Sequence, residues 1–276
     1  MRGRSERFWR GRIKRARAVE RRYGVLLRAV ARQIAIIVDG LYADEETRWD
    51  HIEGALDDYA ALLTPWARRI AERMLLDVSM RDYTTWIRLG REIGRALGDE
   101  VAGVNMAPTL AELLRDQVLL IRTLPLDAKQ RVHELSVEAF TTGQRYENIA
   151  ARIRAQGNVS RGQANTIART EVSRAMSEIQ AIRAQGIGSE GFIWRTARDA
   201  DVRRLHKGFE GKFYRWDEPP ILDDGQPGLP GSIYNCRCYS EPVLAGETPQ
   251  LGPLPRNPEY LAALRAAGYT TGAAFE

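Results

Sequence analysis

The chain has 276 residues, 44% of them hydrophobic and 28% charged, with a formal net charge of +5. That is enough apolar material for a sizeable core, in one large domain or two smaller ones, and it excludes global disorder. No apolar run approaches the roughly 18 residues that a membrane helix needs, and the basic N-terminus lacks the apolar stretch of a secretory signal.

The charge is unevenly placed. Residues 1–32 hold eleven Arg and Lys14 against Glu6 and Glu20, a block of +10 that leaves −5 for the remainder. Guanidinium forks are always charged and match phosphate or carboxylate oxygens in pairs. Arg10, Arg12, Lys14, Arg15, Arg17, Arg21 and Arg22 are therefore candidates for contact with nucleic acid or an acidic partner. The plainer alternative is a solvated helix face. Residues 5–38 form one predicted helix, with Trp9, Ile13, Ala16, Val19, Tyr23, Leu27, Val30, Ile34 and Ile37 recurring every three or four positions. Such a stripe requires a partner surface, here expected within the chain.

From 44 to 139 the period stays helical, with five or six helices and no strand expected. Ile52, Leu56, Tyr59 and Leu63 form one stripe, and Thr64-Pro65 fits an N-cap followed by Pro in the first turn. Ser79 with Asp82 suggests another start, and Thr109-x-x-Glu112 and Asp127-x-x-Gln130 look like capping boxes. Trp49, Trp66 and Trp86 are expected in the core, as are His51 and His133. Two more helices are predicted within 143–186, broken at Gly157-Asn158, the second with the small apolar face Ala164, Ile167, Ala168, Val172, Ala175 and Ile179. Arg169 and Glu171 lie about 200° apart on that helix, so each needs its own partner. At least one of them is expected to bond the segment that follows.

After Gly188 the period changes. Gly191–Arg195, Lys212–Trp216 and Cys236–Leu244 are predicted strands, with a short helix capped by Asp199 and ending near Lys207-Gly208. The proline- and glycine-rich stretch between the second and third strands reads as a long irregular loop, and 246–276 as a Pro-rich tail. The expected fold class is α+β, predominantly α-helical: a helical N-terminal half, then a small module of short antiparallel strands. The expected divisions are 1–140 (with the basic arm at 1–32), 143–245 and 246–276.

Both cysteines of the chain, Cys236 and Cys238, fall in this module with one of its three histidines, His206. Two residues apart, they would form a strained disulfide, which points to a reducing, cytosolic setting. His206, Cys236 and Cys238 could converge as metal ligands, with Asp199 fourth, and thiolates with an imidazole suit zinc. The favoured alternative has no cofactor. In it Asp199 accepts from backbone amides and Arg203, His206 bridges to the strand bearing Cys236, and the thiols are small buried hydrophobes.

Thr196, Asp199, Val202, Arg203, His206, Gly211, Asn235, Cys236, Arg237 and Cys238, preceded by Ala168-Arg169-Thr170-Glu171, resemble the C-terminal domain of the Mu F-like minor head proteins of tailed phages, the head morphogenesis family. The resemblance covers about residues 143–244. It implies a structural minor capsid protein and not an enzyme. It also implies work near the portal, with portal, major capsid or scaffold proteins as partners, double-stranded DNA as a further one, and no membrane. The implied location is the virion, in the head interior or at the portal vertex, after assembly in the host cytoplasm. Some relatives carry C-x-x-C where this chain has Arg203-x-x-His206, which would fit a zinc site partly lost here. On this basis Arg169, Glu171, Thr196, Asp199, Arg203, His206, Asn235, Cys236, Arg237 and Cys238 are assigned to holding the module together. The rival from another class is a nuclease or other hydrolase on the same module, with Asp199 and His206 in an open cleft beside an arginine. A general DNA-binding protein is a third possibility.

Overall fold

The computed structural model describes residues 2–42, 49–142 and 151–244. The tail from 246 and the positions Tyr146, Ile149 and Ala150 of the predicted 144–156 helix lie outside the described residues. Among the described residues the helices that precede the first strand include α1 (Arg2–Tyr42), α2 (Trp49–Leu62), α3 (Thr64–Ile93), α4 (Leu97–Ala102), α5 (Ala107–Thr142) and α6 (Gln156–Gly186). Then come β1 (Gly191–Arg195), the short α7 (Arg204–Phe209), β2 (Phe213–Arg215) and β3 (Tyr239–Val243). The fold is α+β and mainly helical, with one three-stranded antiparallel sheet of order β2-β1-β3.

The chain packs as two compact units made of non-contiguous segments. One comprises residues 1–18, 77–110 and 170–276, the other 19–76 and 111–169. The boundaries fall inside α1, α3, α5 and α6, so each unit is assembled from segments distant in sequence.

The unit of 19–76 and 111–169 is built on helical stripes. Val19, Tyr23, Leu27, Val30 and Ile34 of α1 are buried, and the stripe then drifts to Val38, leaving Ile37 half-buried. Ile52, Leu56 and Ala60 of α2, Ile121, Leu124, Ala128 and Val132 of α5, and Ala164, Ile167 and Ala168 of α6 are buried in the same unit. Residues 44–139 hold four described helices where five or six were expected. The Asp127 capping pattern is interior, because α5 runs straight through Pro125. A helical proline costs about 3 kcal/mol, which burying Ile121, Leu124 and Val132 on one continuous stripe outweighs, at roughly 1.5–3 kcal/mol per side chain. Gly157-Asn158 likewise lies inside α6, and the break falls at Ala155. His51 and His133 are exposed, not core residues, and His133 Nδ1 lies 3.0 Å from Glu53. Trp66 is half-buried, and the Trp49 side chain lies outside the described residues.

The other unit has an aromatic core. Trp9 meets Trp86 edge to face at 5.3 Å between ring centroids. Leu89, Leu97, Val101, Ala181, Ala184, Phe192, Trp194, Phe209, Tyr214 and Trp216 join them. Ser79 and Asp82, read as a helix start, are in the middle of α3 and buried. They receive Arg183 of α6: its Nη1 donates to Ser79 O at 2.7 Å and to Asp82 Oδ2 at 2.9 Å, and its Nη2 to Ser79 Oγ at 3.0 Å.

Candidate functional site

β1 is the centre of the module. Alternation puts Phe192 and Trp194 on its buried face, and Ile193 and Arg195 on the other. Gly191–Ile193 pairs with Phe213–Arg215, and Gly191–Arg195 pairs with Tyr239–Val243. Pro242 is tolerated because β3 is an edge strand. On the buried face Phe192 packs on Trp216 at 4.6 Å, and Trp194 meets Phe209 at 5.0 Å and His206 at 5.2 Å, both edge to face. The aromatic wall thereby fixes the imidazole ring of α7.

His206 is 1% exposed, Cys236 3% and Cys238 7%. His206 Nδ1 faces both sulfurs, at 3.4 Å from Cys236 Sγ and 3.5 Å from Cys238 Sγ. The thiols are free. The donor atoms of these three residues all lie within 4.8 Å of one another, the arrangement a bound metal would need. The Cys238 thiol, hydrogen-bonded to Cys236, holds the Cys236 pKa down to about 4 against the opposing effect of burial, with His206 assisting. The same contact, with burial, raises the Cys238 pKa. On the far side of the ring, Nε2 is 3.1 Å from Asp223 Oδ2, outside hydrogen-bond geometry. Arg203 also approaches Asp223, at 3.5 Å, and donates to Tyr234 O at 2.7 Å.

The other predicted residues take several roles. Asp199 is neither near the thiols as a fourth ligand nor a partner of Arg203. It is exposed and paired with Arg237 at 2.8 Å, and Arg237 also holds Asp201 at 3.0 Å. A carboxylate at the surface is captured by the nearest guanidinium, which here comes from the residue between the two cysteines. Thr196 is buried, and both its amide and its hydroxyl donate to Glu210 Oε2 at 2.6 Å. Asn235 has a left-handed backbone (φ 58), and its amide donates to Thr170 Oγ1 at 3.0 Å. One contact from α6 to the loop thus comes from Thr170, between the two residues singled out. Arg169 pairs with Glu20 at 3.4 Å, and Glu171 is buried. The side chains at 10, 12, 14 and 15 lie outside the described residues, while Arg17, Arg21 and Arg22 are exposed on α1.

Several partners had no sequence signal. Arg195 Nε donates to Glu241 Oε2 at 2.6 Å, a diagonal pair on one sheet face, and lies 3.6 Å from Glu210. Glu210 is also bound by Arg198 at 2.8 Å. Burial opposes its ionisation, but the Thr196 hydroxyl, Arg198 and the Thr196 amide outweigh burial and hold its pKa below 4.5. Gly231 (φ 90) lets the loop pass close to the Cys238 carbonyl and the Ser177 hydroxyl, and that hydroxyl donates to Pro230 O.

Residues 130–241 match the family of Phage Mu protein F like proteins. The minor head protein GP7 of Bacillus phage SPP1 is 24% identical over 174 residues, 57% of this chain and 56% of GP7. An uncharacterized protein of Haemophilus influenzae is 26% identical over 140 residues, 51% of this chain and 30% of that protein. The chain thus spans about half of one relative and about a third of the other. No solved structure matches. Residues 130–241 are a domain of the Mu F-like family of phage head proteins.

Proposed function

We propose that this chain is a minor head protein that assists head morphogenesis close to the portal vertex. The observation that carries this is how the module uses its polar side chains. Arg195, Thr196, Glu210 and Glu241 bond to one another, and His206 is turned toward two thiols under Trp194. Such a module presents a fixed surface, which suits docking in an assembly. A hydrolase would need His206 in an open cleft, and its 1% exposure gives that alternative no support. No described helix is long and apolar enough to cross a membrane.

A second surface comes from α1. Arg17 and Arg21 are exposed one turn apart, while Val19 and Tyr23 are buried. This face offers cations to an acidic protein or to the phosphates of packaged DNA. The partners in this view are the portal protein and the major capsid or scaffold proteins, with double-stranded DNA as an additional contact.

Co-expression with the portal and major capsid proteins from the same locus tests the assignment. The chain should co-purify with the portal and be retained in assembled particles. A folded chain that elutes alone, with particles lacking it, would refute it. For the DNA contact, affinity should fall steeply with salt, by a slope of about 0.9 per phosphate neutralised. The double variant Arg17→Glu, Arg21→Glu should flatten that slope, and salt-insensitive binding would remove DNA from the partner set.

A further inference from the structure

We propose that His206 Nδ1, Cys236 Sγ and Cys238 Sγ form a zinc(II) site, with solvent in the fourth position and Asp223 positioning the histidine from behind. The site goes beyond the assembly role and does not depend on it.

Three features of the geometry converge. The first is distance. Zinc bonds of about 2.3 Å to sulfur and 2.0–2.1 Å to nitrogen, at a tetrahedral angle, separate the two atoms by about 3.6 Å. The observed separations are 3.4 and 3.5 Å, so an ion fits with the side chains almost where they are. The second is convergence. Both sulfurs face the single Nδ1 of His206, and the donor atoms of the three residues all lie within 4.8 Å of one another, so a divalent ion can use all three at once. The third is the carboxylate. Histidines that bind metals commonly direct their other nitrogen at a carboxylate, which fixes the ring and raises its basicity. Asp223 Oδ2 stands 3.1 Å from Nε2 on that side of the ring, off the hydrogen-bond line.

Charge supports the same conclusion. Two thiolates and a divalent ion sum to zero, and a buried site tolerates ions only when they are neutralised. Soft sulfur with imidazole selects zinc over oxygen-seeking cations such as magnesium and calcium. Bound there, the ion would tie α7 to the chain segment leading into β3.

The full-length chain, purified from zinc-supplemented culture and dialysed against a weak chelator, should retain one zinc per chain by elemental analysis. After stripping, titration with cobalt(II) should give thiolate-to-metal charge-transfer absorption that saturates at one equivalent and is displaced by zinc. Cys236→Ser with Cys238→Ser should abolish both signals. Because that variant could fail to fold, Asp223→Asn provides an independent measurement at an exposed position. It should keep the stoichiometry but weaken metal affinity 10–100-fold in competition with a chromophoric chelator. Zinc at background, with a cobalt spectrum lacking thiolate bands in the folded wild type, would overturn the site. Unchanged affinity in Asp223→Asn would overturn the role given to the carboxylate.

Discussion

The helical unit of 19–76 and 111–169 and the unit that carries the sheet treat charge in opposite ways. In the first, ion pairs such as Arg68–Glu72 and Arg152–Glu138 stand at the surface. Its interior is chiefly periodic apolar stripes, with the buried Tyr23–Gln117 hydrogen bond (2.9 Å) an exception. In the second, several charged and polar groups go inside, beside surface pairs such as Arg237–Asp199. Arg183 meets Asp82, Arg195 meets Glu241, and His206 meets two thiols, all largely removed from water. The lesson is that the helical unit depends on area and the sheet-bearing unit on individual partners. Stability should therefore respond to different substitutions in the two.

The largest effect should come from Arg183→Ala. It strands Asp82, itself 1% exposed, with its main countercharge gone. Removing one partner of a buried pair costs about 3–5 kcal/mol, measurable as a lower midpoint in guanidinium denaturation. Replacing both partners, as Arg183→Met with Asp82→Leu, should recover much of that loss, since no charge is then left buried. If the double variant is no better than the single, the pair is not the source. In the helical unit the matching experiment is Leu27→Ala at a fully buried position. It should cost about 2–5 kcal/mol through lost transfer energy and the cavity left behind. Leu62→Ala, at 77% exposure, should change stability by less than about 0.5 kcal/mol.

The same contrast explains what was legible in the sequence. A stripe repeats, so Val19, Tyr23, Leu27 and Ile34 identify the buried face of α1 without knowledge of any partner. The three strands were visible too, because Gly188 and the proline-rich loop punctuate them. A buried pair carries no period. Ser79 and Asp82 look like a helix start, since short polar side chains that cap a helix are the same ones that accept a guanidinium. Their partner is about a hundred residues away, at Arg183. Asp223 lies in a loop where an acid is unremarked, and only the folded chain sets it behind His206. Asp199 stands within the family motif and was drawn toward the thiols for that reason, whereas Arg237 holds it at the surface. The cluster of His206, Cys236 and Cys238 could be read from composition alone, because so few residues of those types were available.

A smaller effect should follow from Glu210→Gln. Its folded pKa lies below 4.5, so its charge stabilises the fold above that value. The contribution is lost as pH falls from about 4.5 through the lowered folded value. The substitution should cost about 1–3 kcal/mol at neutral pH, because Arg198 and Thr196 lose a charged acceptor. The gap between variant and wild type should close on acidification. A gap that stays constant down to pH 3 would mean that Glu210 acts by packing and not by charge.

The smallest effect should come from Arg68→Ala, and it tests the comparison most sharply. Arg68 and Glu72 face each other at 2.9 Å one helical turn apart, with side chains 68% and 44% exposed. The distance rivals that of Arg183–Asp82, also 2.9 Å. If distance decided strength, the two arginines would matter equally. Water decides instead: an exposed pair on a helix is worth about 0.3–0.5 kcal/mol, since each charge is nearly as well solvated apart as paired. Arg68→Ala should shift the denaturation midpoint at the edge of detection. Raising salt toward 1 M should erase even that, because the screening length falls to about 3 Å. Salt should leave the Arg183→Ala deficit in place, since its pair is out of reach of counterions. A salt-sensitive Arg183 or a costly Arg68 would mean that the two units do not differ in how they hold charge.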